Sequence, residues 1–280
     1  MPTITVTTVQ ELQNAIDGTR YSTQRILILV ASGTYDLSTA VSTERPQSWG
    51  SVPHGGGYTL RAMEPHQVVL DGGGTTDILD FGNTKGCYVW IDGIVFRHGF
   101  RVNDNGAAIY GKARPYDQSD DGTFDHKALW IKMTNCVFED NTSGENMPPW
   151  ADQCSAGATT GKGGALYFRG CVALTIQRCR FTNNQALTNG GTGTDSGGGA
   201  IYWSAAYLLI EDTVFEGNFA TVGGHHMAFE TTASDSVRPL NWPEADNALG
   251  LSAAGLGATG IKTLLRNCTF TTAGYQRSSH

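Results

Sequence analysis

Charge is scarce in this chain. Lys, Arg, Asp and Glu make up 16% of its 280 residues, against roughly a quarter in an average soluble protein. The formal net charge is −7, and no run of Lys or Arg interrupts it, which argues against nucleic acid or an anionic membrane as the main partner. Long apolar runs are also missing. The densest, "ILILVA" at 26–31, falls far short of the ~20 residues that span a bilayer. The opening "MPTITVTTVQEL" has no basic segment leading into an apolar stretch, so a Sec leader is not expected and synthesis in the cytoplasm is. Six cysteines, with no CxxC spacing, exclude a disulfide scaffold and a zinc ribbon.

Glycine is abundant instead. Its 36 copies are about twice the usual ~7% share, and Thr, Asn, Ser and Gln supply the polarity. Many of the glycines belong to a repeat. "GGALYFRGCVALTIQRCRFTNNQA" at 163–186 returns as "GGAIYWSAAYLLIEDTVFEGNFA" at 198–220, with "NGAAIY" at 105–110 and "GGHHMAF" at 223–229 as further copies.

Aligning on one phenylalanine per repeat gives anchors at Phe96, Phe138, Phe181, Phe215 and Phe270, spaced 42, 43, 34 and 55 residues apart. Self-similarity of this kind marks a solenoid, in which each repeat buries its apolar face by stacking on the next. Seven residues before the anchors stand Val89, Ile131, Leu174, Leu208 and Thr263, and five before stand Ile91, Met133, Ile176, Ile210 and Leu265. Both columns are expected to face inward. The column between anchor and core, Asp92, Thr134, Gln177, Glu211 and Arg266, mixes charge and polarity and is expected to face outward, as strand alternation requires.

A break at Gly93, Asn135, Arg178, Asp212 and Asn267 then resets the phase. Short strands joined by such bends, with no helical period between them, describe the coils of a parallel β-helix. At the start, Thr8 and Glu11 have capping-box spacing while Val9, Leu12 and Ile16 share one helical face, so a helix is expected to cover the first open edge.

The arrangement resembles the right-handed parallel β-helix proteins of the pectate-lyase-like superfamily, and the "GGAI" and "CxFxxN" wording is similar to the repeat of polymorphic outer-membrane proteins. The fold class that follows is all-β: a single-stranded right-handed parallel β-helix with an N-terminal capping helix. One domain over 1–280 is expected, with a cap at 1–37, coils over 57–274 and projecting loops at 40–56, 112–127, 142–162, 187–197 and 230–260. The resemblance implies no single function, because the superfamily spans lyases, hydrolases, phage spikes, capsid decoration proteins and adhesins.

Coils lie about 4.8 Å apart, so equivalent residues form ladders. Cys136 and Cys179 are expected to pack as small hydrophobes, and Asn141, Asn184 and Asn218 to stack as amides at a bend. Tyr110, Tyr167 and Tyr202 form one outward aromatic column, and Tyr88, Trp130 and Tyr207 a second; loop cover, subunit contact and sugar stacking all suit them. Three insertions bring tryptophan close to proline, at Trp49, Trp150 and Trp242, and are candidate partner surfaces.

A carboxylate pair, Glu139 and Glu216, shares one column two coils apart with Asp140, Arg178 and Arg180 nearby, a spacing near that of inverting glycosidases. Arg97, His98 and Arg101 are basic neighbours matching no lyase signature. Asp117, Ser119, Asp121 and Asp125 open like a calcium loop, but Ala128 stands where the bidentate Glu belongs. His225 and His226 are adjacent, diverge on a strand and read as a disturbed core strand.

The leading expectation is a non-catalytic component of a bacteriophage virion, a capsid decoration (cement) protein or spike element. It would be without cofactor, would assemble as a homotrimer with other virion proteins, and would leave the cell by lysis. The alternative is a polysaccharide lyase or glycoside hydrolase acting on a surface glycan, and the third reading is an adhesin.

Overall fold

The computed structural model describes residues 1–19, 22, 24–37, 41–42, 57–81, 87–101, 106–113, 129–144, 161–188, 197–221, 224–229 and 262–271. Trp49, Trp150 and Trp242, the calcium-like loop Asp117, Ser119, Asp121 and Asp125, and most of the predicted projecting loops lie outside the described residues.

Parallel strands stack into three sheets of twelve, seven and four strands. The chain is a right-handed parallel β-helix. The seven-stranded sheet carries the anchors and runs, in spatial order, through Gly33–Asp36, Val68–Asp71, Ile94–Arg97, Val137–Glu139, Arg180–Thr182, Val214–Glu216 and Thr269–Thr271. Its register places Tyr35, Leu70, Phe96, Phe138, Phe181, Phe215 and Phe270 in one column. The five phenylalanine rings stack face to face at centroid spacings of 4.7–4.9 Å, so the coil spacing sets the ring spacing.

The column is longer than the phenylalanines suggest. Arg25–Val30 pairs with Gly57–Ala62, and Gly33–Asp36 with Val68–Asp71, so strands of two sheets of the stack lie inside the stretch 1–37 assigned to the cap. Tyr35 and Leu70 hold the anchor place in these early coils, which hid them from a phenylalanine search. Strands also continue into predicted loops: Thr142–Gly144 and Gln185–Leu187 pair with each other in the four-stranded sheet, and Ile109–Ala113 reaches past residue 112.

Two left-handed bends recur from coil to coil. The first has positive φ at Gly93, Asn135, Arg178, Asp212 and Asn267, the second at His98, Asp140, Asn183 and Gly217. Asn and Asp, which fill most of these places, tolerate this conformation because their short side chains bond locally. In the repeated "GG", Gly163 and Gly198 have φ of 65° and 70°, while a Cβ on Gly164 would lie 2.1 Å from the Gly199 carbonyl oxygen. The first glycine meets a dihedral need and the second a lack of room.

The inward columns at Val89, Ile131, Leu174 and Leu208 and at Ile91, Met133, Ile176 and Ile210 are buried. Cys136 and Cys179 are buried free thiols, and burial pushes Cys136 well up. In the outward column Thr134 is the exception: it is buried, accepting from Trp90 Nε1 at 2.8 Å and donating to Asp92 at 2.7 Å.

The asparagine ladder forms as expected, all three side chains buried. Each Nδ2 donates back to the anchor carbonyl of the preceding coil: Asn141 to Phe96, Asn184 to Phe138 and Asn218 to Phe181. Each Oδ1 accepts the amide of the coil below it: Gly99, Asn141 and Asn184 in turn. These amides would otherwise be orphaned at the bend.

The helix Val9–Thr19 packs Leu12 and Ile16 over the N-terminal end. Thr8 Oγ1 accepts the Glu11 amide, but the Glu11 carboxylate returns to the amide and hydroxyl of Thr7 rather than Thr8. Among the described residues no helix is long and apolar enough to cross a membrane.

Candidate functional site

The second bend and the strands on either side of it form a cleft of about 500 Å³. Its lining is drawn from five consecutive coils: Asp36, then Asp71 with Gly73 and Gly74, then His98 with Gly99 and Phe100, then Asp140 with Thr142, then Gln185 with Leu187. Crossing five coils at about 4.8 Å each makes it an elongated groove at right angles to the strands.

Asp71 is the best-anchored group in it. Oδ2 accepts Arg97 Nε at 2.7 Å, and Oδ1 accepts the Gly73 amide at 2.9 Å and His98 Nδ1 at 3.1 Å. Burial pulls this carboxyl upward, but the Gly73 amide, the Arg97 guanidinium and the His98 ring outweigh it and hold Asp71 below its ordinary range. An ionised carboxylate is acceptor only, so His98 Nδ1 carries the proton it donates. That leaves Nε2 as the other ring nitrogen, with no hydrogen bond to a described residue, on a side chain 47% exposed at the cleft.

The left-handed φ of 52° at His98 recurs at Asp140, Asn183 and Gly217. The turn therefore belongs to the fold, and this coil is distinguished by placing an imidazole on it.

Arg101 sits at the far side of the bend, paired with Asp77 at 3.2 Å and lying over the Tyr110 ring at 4.2 Å. It covers the tyrosine column rather than joining His98. Tyr110, Tyr167 and Tyr202 stack at 5.4 and 5.6 Å, and Lys162 lies over Tyr202 at 4.9 Å. Tyr167 and Tyr202 point away from the main core, as expected, yet are only 5% and 2% exposed, which among the three readings suits cover by loops. In the second column Tyr207 is buried with Ala173 and Leu209 in a small cluster against half-buried Tyr88 and Trp130. Alternation gives the direction of a side chain and says nothing of what lies over it.

The predicted carboxylate pair shares a column through Thr182, as expected. However, Arg180 donates to Glu216 at 2.6 Å and to Thr182 Oγ1 at 3.0 Å, so Glu216 is held in an exposed ion pair. Arg178 is engaged at the other bend, donating to Asn135, and Asp140 belongs to the cleft. The group expected around Glu139 and Glu216 is thus divided. Among the described residues no three His, Cys, Asp or Glu side chains gather closely enough to hold a metal ion.

Comparison with known proteins bears on the fold. Residues 135–169 match the Chlamydia polymorphic membrane protein repeat. The PL6-family alginate lyase AlyGC is similar over 99% of this chain at 15% identity and a TM-score of 0.50, and the chain spans 30% of that enzyme's length. What they share is the β-helix. A mannuronic-acid-specific family 6 lyase from human gut microbiota matches 97% of the chain and 59% of its own length at 12% identity and a TM-score of 0.38. The pectin methylesterase of Aspergillus niger matches 97% of the chain and 83% of its own length at 13% identity and a TM-score of 0.28. No curated protein sequence matches the chain.

The sequence reading noted His98 and Arg97 but missed Asp71, whose register partner is Arg97. The signal was present: "VVLDG" at 68–72 parallels "IVFRHG" at 94–99, with Leu70 in the anchor place.

Proposed function

We propose that the β-helix acts on a polysaccharide laid along the cleft, with His98 as the proton-transferring group and Asp71 as the residue that positions it. The observation that carries this reading is the Asp71–His98 pair at a groove crossing five coils. A carboxylate bonded to Nδ1 fixes the imidazole's tautomer and ring plane, leaving Nε2 to take a proton from a bound sugar or from a water at one of its linkages. Phe100 offers the groove an apolar face beside Thr142 and Gln185, the mixture of stacking and hydrogen bonding that sugars require. The groove's length suits a polymer better than a compact metabolite. That AlyGC is an alginate lyase supports the substrate class and leaves the particular glycan open.

The virion subunit expected from the sequence drew on aromatic columns in which Tyr167, Tyr202 and Tyr207 are buried, and on loops outside the described residues.

The test is incubation with acidic and neutral polysaccharides, following ultraviolet absorbance for unsaturated products and reducing ends for hydrolysis. Turnover by the native protein is expected, with a loss of about a hundredfold or more in His98→Gln and little change in Glu216→Gln. Loss in Glu216→Gln with His98→Gln unaffected would return the chemistry to the carboxylate column. No turnover on any polymer would sink the catalytic reading.

A further inference from the structure

The asparagine ladder must end, and it ends on histidine. Asn218 Nδ2 makes two bonds, one to the Phe181 carbonyl at 2.9 Å and one to His226 Nδ1 at 3.3 Å. In the coil before, the same two hydrogens of Asn184 go to the Phe138 carbonyl and to Asn218 Oδ1. His226 Nδ1 thus stands where the next asparagine's oxygen would stand. The orientation of Asn218 is fixed, because its Oδ1 already accepts the Asn184 amide, so Nδ2 is the donor and His226 Nδ1 the acceptor.

His225 does the same next door: its Nδ1 accepts the backbone amide of Ala220 at 3.2 Å, a donor that cannot reverse. Nδ1 is therefore the accepting nitrogen of each ring, and His226 is bound as a neutral imidazole with its proton on Nε2.

The two histidines also hold the strand that follows. They replace Gly199 and Ala200 of the preceding coil in register, and the His226 carbonyl accepts the amides of both Ala200 and Ile201 at 3.0 Å. The strand at 214–216 and its bend turn Phe215 and Asn218 on the pair, Phe219 stacks on His225, and Phe270 meets His226 from the last described coil. These neighbours are uncharged, and the nearby Glu216 is turned outward to Arg180. The charged form of the His226 ring is opposed by burial, by its lost acceptor and by the neighbouring His225.

We propose that the His225–His226 pair forms an acid-sensitive cap with His226 as its trigger: neutral, His226 terminates the amide ladder and holds Gly224–Phe229 on the stack; protonated, it releases that segment. Protonation turns the His226 Nδ1 acceptor into a donor facing the Asn218 Nδ2 donor. Burial, then the proximity of His225, lowers His226 from its ordinary 6.5. A histidine lowered on folding contributes stability that is complete above its unfolded value and is lost as pH falls from there through the folded value, so release begins on the acid side of about 6.5.

Hydrogen exchange at about pH 7.5 and about pH 5, corrected for intrinsic rates, tests this in the full chain. Protection at the amides of Ala200, Ile201 and Ala220 is expected to fall by about tenfold or more, while that of Asn141 and Asn184 holds. In the double variant His225→Asn, His226→Asn an amide oxygen takes the place of each Nδ1 and does not titrate, so protection should be equal at both pH values. Unchanged protection in the native chain, or equal acid loss in the double variant, overturns the proposal. Should the variant not fold, the Cε1–H titration of the native histidines decides: a His226 midpoint at or above 6.5 overturns it and a lower one supports it.

Discussion

A single phenylalanine in this molecule touches its own kind above and below. Phe181 is fully buried between Phe138 and Phe215 at 4.7 and 4.9 Å, so its contribution is set by two neighbours at once. Phe181→Ala is expected to cost about 3–5 kcal/mol, measured by urea unfolding, because the coil spacing forbids the rings on either side from closing the gap. Phe181→Leu should cost clearly less, since Leu70 occupies the same column three coils earlier and a Leu keeps most of the volume. Equal losses for the two variants would mean that ring stacking, rather than filled volume, holds the column.

At the scale of one bend, Asp71 links a strand, a turn and the next coil through Gly73, Arg97 and His98. Its carboxyl is held below the ordinary value of 3.8. A lowered carboxylate contributes stability that is complete above its unfolded value and disappears as pH falls through the folded one. Native protein should therefore lose stability below about pH 4, and Asp71→Asn should lose less across that window in acid titrations of denaturation midpoint. Identical acid profiles would show that the Arg97 and His98 bonds do not persist in solution.

The bends also explain what the sequence could and could not tell. The columns of Phe, Cys and Asn were legible because every coil must answer the same inward and bend requirements with the same residue types. The Asp71–His98 pair was not: its members come from different coils, and the coil carrying Asp71 uses Leu70 in place of the anchor. For Tyr167 and Tyr202 the direction was legible and the cover was not. Their outward direction follows from alternation, but the cover that Lys162 lays over Tyr202 comes from a loop glycine turn with no periodic signal.

The described residues form a stack whose first and last coils differ. A helix seals the first coil, while the last described coil presents Leu264 and Leu265 at 40% exposure and Phe270 at 44%. Between them the groove follows the stack across five coils, which is the direction in which an extended polymer gains contacts coil by coil. The central claim is that a glycan occupies this groove beside His98. Chemical-shift mapping with the oligosaccharide products of the polymer panel tests it most directly. The account predicts shifts concentrated at the His98 ring and at the amides of Gly73, Gly99 and Thr142, lost in Asp71→Asn for the His98 ring. Shifts confined to the opposite sheet around Trp90 and Lys132, with His98 unmoved, would contradict it.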